Sequence, residues 1–129
     1  MNFTFKNIDA AYSQIKNQII QTPLISNDNI NKKLSSKIFF KLENLQNTGS
    51  FKFRGASYKI SKLTYEQKNN GVVAYSSGNH AQAVAYASLQ KNITCKIIMP
   101  KNAPKIKIEN TKKYKAEVCL LYTSPSPRD

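Results

Sequence analysis

"GVVAYSSGNHAQAVAYASLQ", Gly71 to Gln90, decides how this chain folds. Residues 72–77 form a short apolar run of strand formers and read as a buried strand. Gly78 supplies a tight turn. From Asn79 to Leu89 the pattern changes to helical spacing, with Ala81, Val84, Ala85 and Ser88 on one small-residue face. A strand that turns directly into a helix is half of a βαβ unit. The chain downstream completes it. "TCKIIMP", Thr94 to Pro100, reads as the next strand, a loop with Pro100 and Pro104 precedes a helix near residues 105–113, and "AEVCLL", Ala116 to Leu121, reads as a third strand. Strand, helix, strand, helix, strand predicts a parallel α/β sheet with right-handed crossovers. Ligands in such sheets bind beyond the carboxyl ends of the strands. "SSGNH", Ser76 to His80, stands at such an end and opens a helix.

Upstream, "TYEQKNNG" reads as a connector. Thr64 and Gln67 form a capping box for one short helical turn, and Asn70-Gly71 breaks it. "NTGSFKFRGA", Asn47 to Ala56, opens a helix with Ser50 as its N-cap and Phe53, Ala56, Ile60 and Leu63 as its buried stripe. Before it, "KIFFKLE", Lys37 to Glu43, reads as a strand and "NLQNTG" as a loop. Ile8, Tyr12, Ile15 and Ile19 fall at helical spacing, which predicts a helix over residues 9–20, ended by Thr22-Pro23. There is no internal repeat.

The 129 residues suffice for one ordinary domain or a piece of a larger protein. No apolar run approaches the roughly 20 residues that a membrane helix needs. The first residues, "MNFTFKNIDAAYSQ", lack the apolar core of a signal peptide. A cytoplasmic protein without a membrane partner is expected. Cys95 and Cys119 show neither a CxxC pattern nor metal-ligand spacing, and both are expected to be buried free thiols. His80 is the only histidine, so no histidine cluster offers a metal site and none is expected. The net charge of +13 invites a nucleic-acid reading. Against it, the cations are almost all lysines spread along the chain, with only Arg54 and Arg128 available for bidentate phosphate contacts. The densest cluster, Lys101 to Lys115, reads as a solvated helix face, and no nucleic-acid partner is expected.

Two segments carry chemistry. Lys52 stands between Phe51 and Phe53, framed by Gly49, Ser50, Gly55 and Ala56. A desolvated lysine offers a neutral amine near physiological pH, able to form a Schiff base with an aldehyde. The flanking aromatics offer a flat surface for a planar ring. Taken alone, the stretch fits a lysine whose stem packs on Phe51 or Phe53 and whose amine reaches water better than a reactive one. "SSGNHAQA" joins two hydroxyls, a glycine turn, an amide, an imidazole and the free N–H groups of a helix start, a combination suited to a carboxylate or phosphate. Taken alone, it also fits an ordinary strand-to-helix turn with Asn79 as N-cap.

Together and in order, "KLENLQNTGSFKFRGA", "SSGNHAQAVAYA" and "IIMPKNAPKIKIENTKKYKAEV", preceded by "IIQTPLISNDNINKKL", resemble the pyridoxal-phosphate enzymes of the threonine/serine dehydratase and serine racemase group. The resemblance runs from about Asp9 to Leu121. It implies an α/β, three-layer parallel-sheet fragment of the tryptophan synthase β-like (fold type II) fold. Residues 1–63 would be the first part of a large cofactor-anchoring domain and residues 71–121 most of a small mobile domain. Lys52 matches the lysine that holds pyridoxal 5'-phosphate, Phe51 its aromatic neighbour, and Asn79 the amide that bonds the cofactor's ring hydroxyl oxygen. Ser76, Ser77, Asn79 and His80 match the loop that holds the substrate carboxylate. Ser77 also matches the second acid/base of racemising members.

The implied reaction is that of a lyase. Freed Lys52 removes the Cα proton, the cofactor ring takes up the electrons, the β-hydroxyl leaves, and a 2-oxo acid and ammonia result. A serine racemase and a non-enzymatic basic anion- or nucleic-acid-binding α/β module are the alternatives. "SSGNH" in place of "SAGNH" leans toward the serine/threonine dehydratase and serine racemase side. The family's glycine-rich phosphate loop, the partner of its pyridine nitrogen and the metal ligands of some members have no counterpart in this sequence. A fragment of a homo-oligomeric parent is therefore expected, inactive alone and prone to aggregate or to fold only in its second half. Lys115 stands where the family has a helix-ending glycine. Residues 122–129 fall outside the pattern. The two Ser-Pro steps of "TSPSPRD" cannot continue a strand, so the tail reads as disordered or, better, as foreign junction sequence.

Overall fold

The computed structural model describes residues 4–122, so the expectation for "TSPSPRD" lies outside the described residues. In chain order the elements are α1 (Phe5–Ile15), β1 (Leu24–Ile25), α2 (Asp28–Leu34), β2 (Phe40–Lys41), α3 (Lys52–Ser61), α4 (Tyr65–Asn70), β3 (Val72–Tyr75), α5 (Asn79–Leu89), β4 (Cys95–Pro100), α6 (Lys105–Lys113) and β5 (Glu117–Leu121). Two 3-10 turns, Glu43–Leu45 and Asn47–Gly49, lie between β2 and α3. β3, β4 and β5 form a parallel sheet in that order, with Val72 level with Cys95 and Lys96 level with Glu117. The expected sheet, its two crossover helices and their bounds are therefore present nearly residue for residue.

The period-two alternation of β4 sorts its side chains. Cys95, Ile97 and Met99 are buried, while Lys96 points outward and pairs with Glu117 at 3.0 Å. α5 covers β3 and β4, α6 covers β5, and the two helices pack against each other on one face of the sheet. α5 is buried nearly all round, with Ala81, Ala83 and Ala85 wholly inaccessible. Its small side chains let α3 lie close on its outer side. There Phe53, also wholly buried, meets Tyr86 at 5.3 Å between ring centroids, and Tyr86 meets Tyr114 at 4.9 Å.

Several expectations need correction. β3 is not a fully buried strand: Val73 and Tyr75 face outward and are exposed. Cys95 is buried and its thiol is pushed up by burial, but Cys119 is exposed on the outward side of β5. The strand expected over residues 37–43 shrinks to Phe40–Lys41, paired antiparallel with Leu24–Ile25. Its ladder stops because Leu42 donates its N–H to the Pro23 carbonyl at 3.0 Å, and Pro23 has no N–H to return. The first helix begins earlier than expected, since the Thr4 N–H bonds Asn7 Oδ1 at 2.9 Å. It also ends earlier. The Gln46 side chain takes both polar groups of the Ile20 backbone, at 2.9 and 2.8 Å, and draws the chain out of the helix. No helix among the described residues is long and apolar enough to cross a membrane.

The expected capping box at Thr64 and Gln67 is formed, and α4 closes on Gly71 at φ 80°. A Cβ at Gly71 would lie 2.8 Å from the Thr94 carbonyl oxygen. Lys115 has φ 61°, the left-handed region where a glycine is at ease. Opposite outcomes are expected from two substitutions. Lys115→Gly raises the stability of the chain by about 1 kcal/mol, and Gly71→Ala lowers it by about 1–3 kcal/mol, both read from urea unfolding midpoints.

Candidate active site

Ser50 is extended (φ −162°, ψ 160°) and its carbonyl accepts the Phe53 N–H at 3.4 Å, which sets the direction of α3. The expected cap is not made by its side chain: Ser50 Oγ is buried without a partner among the described residues. The helix proper begins at Lys52. A cation at a helix's first residue opposes the helix dipole, so neither capping nor packing accounts for a lysine there. As the stretch taken alone suggests, Lys52 is exposed, with Nζ 5.1 Å from the centroid of the Phe51 ring. Phe51 is also exposed, whereas Phe53, one step beyond, is the core residue. The two aromatics that looked equivalent in sequence therefore point to opposite environments, and only Phe51 stays with the amine.

The second segment is built as its sequence requires. β3 ends at Tyr75, and the Ser76 N–H bonds the Ile98 carbonyl of β4 at 3.0 Å. The Gly78 N–H turns back to Ser76 Oγ at 3.3 Å, and the Gly78 carbonyl accepts the Gln82 N–H at 3.4 Å to start α5. Asn79 is the first helical residue and not the cap; Gly78 holds the cap position without a side chain. Ser77, Asn79 and His80 are exposed and Ser76 is half-buried.

A cleft of about 470 Å³ separates α3 from β3 and the start of α5. Phe51, Lys52 and Lys59 border it from one side, and His80 from the other, over an apolar floor that includes Ala56 and Val72. The two chemistry-bearing segments, about 25 residues apart in sequence, therefore share one cleft through Lys52, Phe51 and His80. Ser76, Ser77 and Asn79 stand on the adjoining turn and do not line it. No carboxylate lines the cleft, and no group of His, Cys, Asp or Glu among the described residues is arranged to hold a metal ion. An amine, an imidazole, a flat aromatic neighbour and an apolar floor fit a planar anionic aldehyde such as pyridoxal phosphate.

Sequence reasoning missed the clasp that holds α3 in place. Arg54 donates to both oxygens of Glu43, from Nε at 2.8 Å and from an Nη at 2.7 Å. Thr22 Oγ1 donates to the same carboxylate at 2.6 Å, and Lys41 Nζ to the Thr22 carbonyl at 2.6 Å. The clasp ties the "TPL" segment and β2 to the helix that carries Lys52. The one available signal was Arg54 itself, one of two arginines in a lysine-rich chain.

A family model described as "Pyridoxal-phosphate dependent enzyme" matches residues 15–128. The chain is 41% identical over 115 residues to the L-threo-3-hydroxyaspartate ammonia-lyase of Saccharomyces cerevisiae, covering 89% of this chain and 35% of that protein. It is 48% identical over 115 residues to a catabolic L-threonine dehydratase of Staphylococcus aureus, covering 88% and 33%. The crystal structure of serine racemase from Dictyostelium discoideum superposes with a TM-score of 0.89 at 40% identity, covering 95% of this chain and 40% of that one. The chain belongs to the pyridoxal-phosphate dependent enzymes, and its parallel α/β sheet is that of their fold type II members. It spans about a third of the length of the curated relatives it matches.

The hydrogen bond from Arg54, helped by Thr22 and Lys41, holds the Glu43 carboxyl below its ordinary value of 4.5, although burial acts the other way. A depressed carboxylate stabilises the fold above its unfolded value, and that contribution disappears as pH falls through the lower folded value. Glu43→Gln is expected to cost about 1–3 kcal/mol at pH 7. Urea unfolding at a series of pH values should show the gap between variant and wild type closing as the pH falls below 4.5.

Proposed function

We propose that the complete protein containing this sequence is an ammonia-lyase that holds pyridoxal phosphate on Lys52 and converts threonine or serine to a 2-oxo acid and ammonia. The observation that carries the reading is the single cleft bordered by Lys52, Phe51 and His80. The cofactor, when bound, supplies an electron sink for the pair released at the substrate Cα. The chain's own residues do the rest. Lys52 Nζ, exposed and free of any carboxylate among the described residues, would hold the cofactor and, once displaced by the substrate amine, would be free to take the Cα proton. Phe51 would pack beside the cofactor ring, and the Asn79 amide would bond the ring hydroxyl oxygen.

Ser76, Ser77, Asn79 and His80 receive the substrate carboxylate at the positive end of α5. Loss of the β-hydroxyl as water, followed by hydrolysis that returns a water and releases ammonia, balances the reaction. Residues 1–63 are assigned to the cofactor-anchoring domain and 71–121 to the smaller one, with α4 as the connector. The protein is read as a cytoplasmic homo-oligomer acting on a small amino acid, with no nucleic-acid or membrane partner.

Ser77 favours a second reading. Its hydroxyl is exposed on the turn, available to reprotonate Cα from the opposite side, and serine racemases are among the similar proteins. Either chemistry needs parts that the relatives carry beyond the matched third, and the 129-residue chain alone is expected to show no turnover. The complete protein should turn yellow with pyridoxal phosphate and form 2-oxo acid from threonine. Lys52→Ala should lose the colour and at least about 100-fold of the rate. Colour retained in Lys52→Ala would overturn the assignment. Chiral analysis of serine after incubation separates lyase from racemase, and Ser77→Ala should abolish the racemase reaction while the lyase reaction persists with a raised KM.

A further inference from the structure

Asn79 does not hang free at the start of α5. Lys107, on α6, reaches across and donates from Nζ to Asn79 Oδ1 at 2.6 Å, over 28 residues of sequence. The donor is on a fixed base. The Lys107 N–H bonds the Pro104 carbonyl at 2.9 Å, and its carbonyl accepts Oγ1 of the buried Thr111 at 2.8 Å. Lys107 itself is half-buried, between the crossover loop and the helix start.

The chemistry of the pair limits what Asn79 can do. A lysine ammonium has three donors and no acceptor, so the amide must turn its oxygen toward Lys107. The amide nitrogen is left as the outer end, and no partner for it is recorded among the described residues. An unclamped asparagine can flip and offer either end to a ligand. This one keeps its oxygen toward Lys107 and presents its N–H donors outward.

We propose that Lys107 is a positioning residue: it fixes the Asn79 amide as a hydrogen-bond donor and so commits the turn to a ligand oxygen that accepts. The proposal rests on the reading that this site takes pyridoxal phosphate, whose ring oxygen is such an acceptor. Lys107 acts through Asn79 and touches no reacting atom. Because α6 follows β4, the same bond also ties the start of one crossover helix to the start of the next.

The test uses the complete protein with Lys107→Met, which removes donor and charge, and Lys107→Arg, which keeps both. In the cofactor-free protein, nuclear magnetic resonance should show the Asn79 side-chain amide signals displaced in Lys107→Met and near wild type in Lys107→Arg. Titration with pyridoxal phosphate, followed by its visible absorbance, should weaken about tenfold in Lys107→Met, the scale of one charge-assisted hydrogen bond. Lys107→Arg should recover most of that loss. In an Asn79→Ala background, Lys107→Met should add nothing. Equal losses in both backgrounds, or unmoved amide signals with cofactor uptake intact, would overturn the positioning role alone. A wild type that takes up no cofactor overturns the Lys52 reading and the positioning role with it. Lys107→Gln, which keeps a donor without the charge, decides the matter if Lys107→Met does not fold.

Discussion

Everything near the cleft depends on how closely α3 can approach α5. The contact is made by Phe53, wholly buried, against Tyr86 on a helix whose inner positions are alanines. Burying one phenylalanine contributes about 1.5–3 kcal/mol, but the distance it sets matters more here than the energy. Lys52 is the residue before Phe53, and His80 lies six residues before Tyr86. The packing of the two aromatics therefore measures the gap between the two groups that border the cleft. The Glu43–Arg54 clasp holds the other side of α3, so the helix is gripped from the core by an aromatic and from the rim by an ion pair.

The site also shows how polar pairing steers a chain where local propensity is indifferent. Gln46 ends the first helix by capturing both backbone groups of Ile20. Asn47 donates to the Gln18 carbonyl at 3.0 Å and holds the same crossing. Side chains from the loop before α3 thus set the course of a segment more than 25 residues upstream, and Lys107 does the same for Asn79 from downstream. Four bonds of this kind tie distant pieces of chain to the loop before α3 and to the start of α5. Each is part-buried or exposed, so each is individually modest.

The second half of the fold was legible because its information is local. Val72 to Leu121 switches cleanly between periods of two and 3.6 residues, and Gly71, Gly78 and the prolines punctuate the switches. The first half was less legible because its limits are set by distant partners. Nothing near Ile15 says that Gln46 will end that helix, and nothing in "KIFFKLE" says that its ladder will stop at Pro23. Lys52, Phe51 and His80 could be picked out by residue type and order, and the structure brings them to one cleft. The clamp on Asn79 could not be seen, since it depends on what three-dimensional packing places beside that residue.

The alanines of α5 have a consequence for how such a sequence can change over time. Ala81, Ala83 and Ala85 have no free surface, and each stands where helix and sheet, or helix and helix, are in contact. An added methyl group at any of them would wedge those layers apart and move Lys52 relative to His80 without touching either. The lysines of α6, by contrast, mostly reach solvent. Drift toward lysine and asparagine can therefore run freely over the surface of this protein, while a residue as chemically silent as alanine is held nearly as tightly as the Lys52 amine it helps to place.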